Sequence, residues 1–184
     1  MRGYFAIGVQ GLSKPMNAGN LVRTAHGFGA SFVFVIDPHP RLRAMHADTA
    51  RSSTQVPFYL HDTLDDLALP RHCQLVGVEL TEDAVDLPSF HHPTQAAYLL
   101  GPERTGLDAA TLARCDHVIR IPTAFSLNVA TAGAVVMYDR MRMLGNFPAR
   151  PTRPGGPTET VEHRHGGPFF RGSGGRPPGW GRGT

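Results

Sequence analysis

The sequence predicts an α/β domain over residues 1–145, with a mostly parallel sheet and helices on both faces, followed by a tail over residues 146–184. Three observations carry this. Short apolar runs rich in Val, Ile and aromatic residues alternate with segments of helical period. Nothing between them has the form of a tight hairpin turn, so neighbouring strands are expected to run parallel with crossover helices covering them. At residue 145 the composition turns abruptly to Pro, Gly and Arg. The 145 residues before that point suffice for one well-buried core.

The elements follow in order. Residues 4–9, YFAIGV, form a first strand. Residues 17–28 form a helix, with Asn17 as its N-cap and Gly29 as its stop. Residues 31–36, SFVFVI, are a buried strand closed by DPHP, and residues 63–68 a short helix. Residues 74–78, QLVGV, and 96–100, AAYLL, are two further strands, the second running into GPERTGL. Residues 108–114 form a short helix with Asp108 near its positive end. Residues 117–121, HVIRI, are a strand stopped by Pro122. Residues 126–144 form the longest helix, with Ser126 as its N-cap.

Charge separates the two parts. Residues 1–145 hold 12 cationic and 13 acidic side chains, a net charge of −1, whereas residues 146–184 hold six Arg and two Glu, a net charge of +4. The tail has no apolar period and too little apolar surface to offset chain entropy, so disorder is expected there. Its Arg and Gly are interleaved with Phe169, Phe170 and Trp180, a composition that suits RNA binding by charge and stacking and equally suits an inert extension. Lys14 is the only lysine among 18 cationic residues. Arginine favours forked phosphate contacts, but a codon bias gives the same count.

Several classes are excluded. No run of 18 apolar residues exists to cross a membrane, and the first residues turn polar too soon for a secretory signal. Cys73 and Cys115 stand far apart and read as two reduced thiols in a cytoplasmic protein. The histidines, including His91, His92, His163 and His165, lack acidic or cysteine partners at ligand spacing, so no metal is expected.

Three segments that follow strands carry the chemistry. The first is NAGNLVR, residues 17–23, with Asn17 at a helix start and Arg23 beyond it. The second is GPERTGL, residues 101–107, with Gly at both ends, a proline and the carboxylate of Glu103. It is neither a phosphate P-loop nor a dinucleotide fingerprint. The third is IPTAFSLNV, residues 121–129, where Ser126 and Asn128 enter an otherwise apolar helix. A buried amide such as Asn128 needs partners. Alone, each segment is an ordinary turn or cap.

Together, in this order, they resemble the SPOUT superfamily of S-adenosylmethionine-dependent RNA methyltransferases, in the SpoU/TrmH branch. The resemblance covers residues 4 to about 144 and rests on the Asn-x-Gly…Arg, Gly-x-Glu-x-x-Gly-Leu and Ile-Pro…Ser-Leu-Asn-Val signatures. It implies a deep trefoil knot near the C-terminus of the domain, a homodimer with the site close to the subunit interface, and a bent S-adenosyl-L-methionine held near Val78, Glu79, Leu80, Gly101, Ile121 and Leu127. It implies RNA, tRNA or rRNA, as substrate and a ribose 2′-hydroxyl as methyl acceptor, with Arg23 assisting the hydroxyl and Asn17, Glu103, Ser126 and Asn128 shaping the pocket. A base-methylating enzyme of the same fold and a knotted RNA-binding protein without catalysis are the alternatives. Two departures stand out. Relatives often carry a separate N-terminal RNA-binding domain, whereas here the first strand begins within a few residues of Met1. Ala130 also stands where relatives often have Ser. RNA would then be gripped by the dimer surface, with the tail as a second candidate.

Overall fold

Seven strands form one sheet in which every recorded pairing is parallel: β1 (Tyr4–Gln10), β2 (Phe32–Ile36), β3 (Phe58–His61), β4 (Gln74–Val78), β5 (Val85–Asp86), β6 (Gln95–Leu100) and β7 (His117–Arg120). The computed structural model describes residues 3–49, 56–102, 105–145 and 147–157. Contacts divide the chain into two units, Met1–Gly145 and Asn146–Thr184. Of the second unit, residues 147–157 contain neither helix nor strand, and residues 158–184 lie outside the described residues.

The strand order is β3-β2-β1-β6-β4-β7-β5. β6 lies between β1 and β4, and β7 between β4 and β5, so the two late strands sit between earlier ones. Side chains alternate faces with the period of two that strands impose. Ile7, Val9, Val33, Val35, Val76 and Tyr98 share one core with Leu21 and Ala25 of α1 (Pro15–Phe28) and Val136 and Met137 of α4 (Val129–Leu144). Ala6, Phe34, Ile36, Leu75, Ala97 and Leu99 face the other way and pack with Leu107, Leu64 and Leu112. Each large aliphatic side chain so buried contributes about 1.5–3 kcal/mol. Two glycines permit close approach. A Cβ on Gly8 would meet the ring of its register partner Phe34 at 2.4 Å, and one on Gly133 would meet Leu21 Cδ1 at 2.7 Å, where α4 crosses α1.

The helices differ in detail from their sequence pattern. α1 begins at Pro15, whose missing N–H costs nothing in a first turn, so Asn17 lies inside the helix and is not its cap. Gly29 closes it with φ 76° and donates its N–H to His26 O, as its position suggests. α4 is capped by Asn128 and not by Ser126: Asn128 Oδ1 accepts from Ala130 N at 3.0 Å. α3 (Ala109–Ala113) is capped by Asp108, which accepts from Thr111 N at 2.7 Å. Residues 63–68 yield only a 3-10 turn, Leu64–Asp66. α2 (Pro40–Thr49), β3 and β5 have no counterpart in the sequence reading. Polar residues and prolines around α2 hide its weak pattern, and β3 and β5 are short edge strands.

Near the amino ends of β1 and β6, a buried polar chain ties α4 to the sheet. Arg140, 2% exposed, donates from Nη1 to Tyr98 Oη (3.2 Å) and Pro93 O, and from Nη2 to Thr94 O (2.8 Å) and Tyr4 O (3.3 Å). Burial pushes the Tyr98 hydroxyl up to about 12, so it keeps its proton. It lies 2.6 Å from His92 Nδ1, and His92 Nε2 lies 3.2 Å from Asp139 Oδ2. A neutral His92 with its proton on Nε2 satisfies every member: Tyr98 donates to Nδ1, and Nε2 donates to Asp139.

Burial holds the His92 pKa below its ordinary value, against the opposing pull of Asp139 and with help from Arg140 and His91. Below about pH 6.5 the unfolded chain therefore binds a proton that the folded chain resists. Stability is expected to be fully retained above that pH and to fall as the pH drops from it toward the lowered folded pKa. His92→Gln keeps one donor and one acceptor without titrating. In urea denaturation at about pH 5.5 and 7.5, the wild type is expected to lose more stability on acidification than His92→Gln; equal losses would remove His92 as the cause.

Candidate active site

A cavity of about 320 Å³ opens at the carboxyl ends of three neighbouring strands, β6, β4 and β7. This is where parallel sheets bind ligands, because loops diverge there and their backbone groups are not used by the ladder. The end of β4 supplies Val78, Glu79 and Leu80; the end of β6 supplies Leu100, Gly101, Pro102, Thr105 and Gly106. The loop after β7 supplies Ile121, Thr123, Ser126 and Leu127, and the first turn of α4 adds Val129 and Ala132.

Each wall is fixed by identifiable bonds. Thr123 Oγ1 donates to Phe125 O at 2.9 Å, and Thr123 N to Ile121 O at 2.8 Å, which hold the loop after β7 in a tight turn. Asn128 caps α4 through Oδ1 and donates from Nδ2 to Asn17 Oδ1 at 3.3 Å, joining α4 to the first turn of α1. Asn17 is 7% exposed. Asn128 is exposed and not buried as the sequence suggested, because it stands just ahead of the first turn of α4; its amide has two tasks, and the cap alone is worth about 1 kcal/mol. Glu79 accepts from Leu107 N at 2.6 Å through Oε2 and from Leu80 N at 2.9 Å through Oε1, and its own N–H donates to Ile119 O at 2.9 Å.

Of the residues expected to hold the cofactor, Val78, Glu79, Leu80, Gly101, Ile121 and Leu127 all line this one cavity, as does Ser126. Asn17 and Asn128 meet each other beside it. Arg23 is on the exposed side of α1 and is not part of the lining. Glu103 lies outside the described residues. Ala130 is 7% exposed, packed in the core, and is not among the lining residues, although its neighbours Val129 and Ala132 are. Sequence reasoning missed the side-chain role of Glu79 and the turn held by Thr123. The paired glycines of GPERTGL were a signal of close approach, but not of what approaches.

The model of the family described as "SpoU rRNA Methylase family" matches residues 4–138. The chain belongs to that family. Among its relatives, the tRNA (guanosine(18)-2′-O)-methyltransferase of Escherichia coli is 31% identical over 139 residues, which are 72% of this chain and 61% of the relative. The 23S rRNA (guanosine-2′-O-)-methyltransferase RlmB of Acinetobacter baylyi is 29% identical over 143 residues, 71% of this chain and 56% of the relative. The chain therefore spans about three fifths of the length of these SpoU relatives. A solved structure titled "Structural insights into the 2-OH methylation of C/U34 on tRNA" matches with a TM-score of 0.62 at 28% identity, covering 77% of this chain and 91% of that one. The AdoMet-bound rRNA methyltransferase of Sinorhizobium meliloti matches with a TM-score of 0.64 at 22% identity, over 77% of this chain and 57% of that one. The latter is a likeness of fold. No helix among the described residues is long and apolar enough to cross a membrane.

Proposed function

We propose that this SpoU protein is an S-adenosylmethionine-dependent RNA methyltransferase acting on a ribose 2′-hydroxyl of tRNA or rRNA in the cytoplasm. One observation carries the reading: segments of two signature loops line one cavity, and the third signature is joined to it by the Asn17–Asn128 bond. The cavity fits the cofactor in kind. It combines apolar side chains of Val78, Leu100, Ile121 and Leu127 with loop backbone and a carboxylate, the mixture that holds an adenine, a ribose and a cationic sulfur. Bound there, S-adenosylmethionine supplies an electrophilic methyl group.

The protein's share of the reaction is alignment and help for a hydroxyl losing its proton. Arg23 is outside the cofactor cavity, so its contact is with substrate. Arginine stays protonated, so it acts as a donor to the hydroxyl oxygen and an adjacent phosphate, with the proton leaving to phosphate or water. Ser126 faces the cavity and orients substrate. Asn17 and Asn128 shape the walls, and the part of Glu103 rests on the resemblance alone. By the same resemblance the domain works as a homodimer with the site near the interface, and the chain is threaded as a trefoil knot. The placing of β6 and β7 between earlier strands supports that threading. The tail over residues 146–184 brings net positive charge to RNA.

The test is methyl transfer from labelled S-adenosylmethionine to total tRNA and rRNA, with the product digested to nucleosides. A 2′-O-methylnucleoside is the expected result. A base-methylated nucleoside would move the acceptor to a base nitrogen. RNA binding without cofactor binding or transfer would leave a non-catalytic RNA-binding protein.

A further inference from the structure

The Glu79 carboxylate is placed unlike a surface acid. It leaves the end of β4 and reaches across to the loop after β6, 28 residues away in sequence, where Oε2 accepts the Leu107 N–H at 2.6 Å. Oε1 turns back to the Leu80 N–H at 2.9 Å. Both ends of this bridge are anchored: the Glu79 N–H is bonded to Ile119 O of β7, and Leu107 is buried in the core. The loop is also built around the carboxylate. A Cβ on Gly101 would lie 2.6 Å from Glu79 Oε2, and one on Gly106 would lie 2.6 Å from the same oxygen and 3.0 Å from Oε1. At Gly101 the backbone of Gly106 and Leu107 crowds as well, but at Gly106 all three nearest atoms belong to Glu79. Gly106 also has φ +68°, which adds a backbone reason for glycine.

We propose that Glu79 is a positioning residue for the cofactor: its carboxylate clasps Gly106 and Leu107 to the end of β4 and so sets the width of the cavity between them. The proposal rests on the methyltransferase reading above. A carboxylate suits the task because it is acceptor-only and offers two oxygens to two N–H groups. Glutamine presents one oxygen and one NH₂, so one of the two backbone donors then faces another donor. The bond to Leu107, short and charge-assisted, is the one whose weakening frees the loop.

The experiment uses the full chain as wild type, E79Q, E79A, G106A and the E79A/G106A double variant. It measures S-adenosylmethionine affinity by calorimetry, the KM and kcat of methyl transfer, and the melting temperature. E79Q is expected to raise the Kd and KM for S-adenosylmethionine about tenfold, because the wall is no longer held in place beforehand and the cofactor must order it on binding. Its kcat at saturating cofactor should fall much less than that, and its melting temperature should fall only as the loss of one hydrogen bond from the fold requires, so the Kd of the folded protein decides. A merely structural role would move the melting temperature and leave the Kd of the folded protein alone. G106A is expected to weaken binding in the wild-type background and to weaken it far less in the E79A background, because the colliding carboxylate is gone. The left-handed strain on alanine is common to both backgrounds and cancels in the cycle. Unchanged cofactor affinity in E79Q, or losses from E79A and G106A that simply multiply, would overturn the proposal while leaving the enzyme reading intact. A wild-type protein that binds no S-adenosylmethionine would overturn both.

Discussion

Arg23→Ala is expected to lower the rate of methyl transfer by about 100-fold or more while leaving cofactor affinity and folding close to wild type. The rate effect follows from charge development. In the proposed reaction, negative charge appears on the ribose oxygen as its proton leaves, and a donor to that oxygen is worth about 10²–10³ in rate. The selectivity of the effect follows from position. Arg23 is exposed on α1 and absent from the lining of the cavity that would hold the cofactor, so its loss should not change S-adenosylmethionine binding. A substitution of an exposed side chain of this kind changes stability by about 0.5 kcal/mol or less. Arg23→Lys should recover part of the rate, because a point charge remains but the planar fork is lost. Single-turnover kinetics with saturating cofactor and RNA would separate these effects. An Arg23→Ala protein that methylates at the wild-type rate would remove Arg23 from the mechanism, and a loss confined to cofactor binding would place it in the wrong half of the site.

Arg140→Leu is expected to damage the fold severely, costing about 3–5 kcal/mol, because each buried acceptor left without its donor costs about 1–3 kcal/mol and Arg140 serves four of them. That is a large share of the roughly 5–15 kcal/mol that a domain has in total. Arg140 is 2% exposed, and its guanidinium lies over the Phe5 ring at 5.3 Å and the Tyr98 ring at 6.0 Å while donating to the carbonyls of Tyr4, Pro93 and Thr94. Leucine fills some of the volume but leaves those carbonyls and the Tyr98 oxygen without their donor, and buried acceptors without donors are costly. Arg140→Lys keeps the charge but cannot span donors on two nitrogens, so an intermediate loss is expected. Urea denaturation followed by circular dichroism measures both. A wild-type midpoint for Arg140→Leu would mean that the network contributes nothing net, as happens for some buried ion pairs.

These two residues also mark what reading the chain could and could not reach. Arg23 is singled out by its place in a signature alone, and its role stands as a proposal. Arg140 was invisible: at the end of an apolar helix, followed by a second arginine at position 142, it looks like any charged helix terminus. Only the fold of α4 against β1 and β6 makes it a buried anchor. The same contrast separates Ser126 from Asn128. Local capping preference admits either, and the structure chooses Asn128 because Asn17 waits for its amide on another helix, 111 residues away in sequence.

The alternation of β1, α1, β2, β4, β6, α3, β7 and α4, the bounds of β4, the stop at Gly29 and the placing of three polar segments after strands were all written in the sequence alone. Those features depend on side-chain period, turn chemistry and caps, which act over a few residues and leave a local trace. Tertiary structure alone decided that β6 runs between β1 and β4, that the long helices share one face, that Glu79 clasps Leu107, and that Arg140 joins a network through Tyr98 and His92 to Asp139. Each of these is a contact between residues far apart in the chain. Its energy comes from burial and from pairing a polar group that water can no longer reach, and neither imposes a period on the sequence.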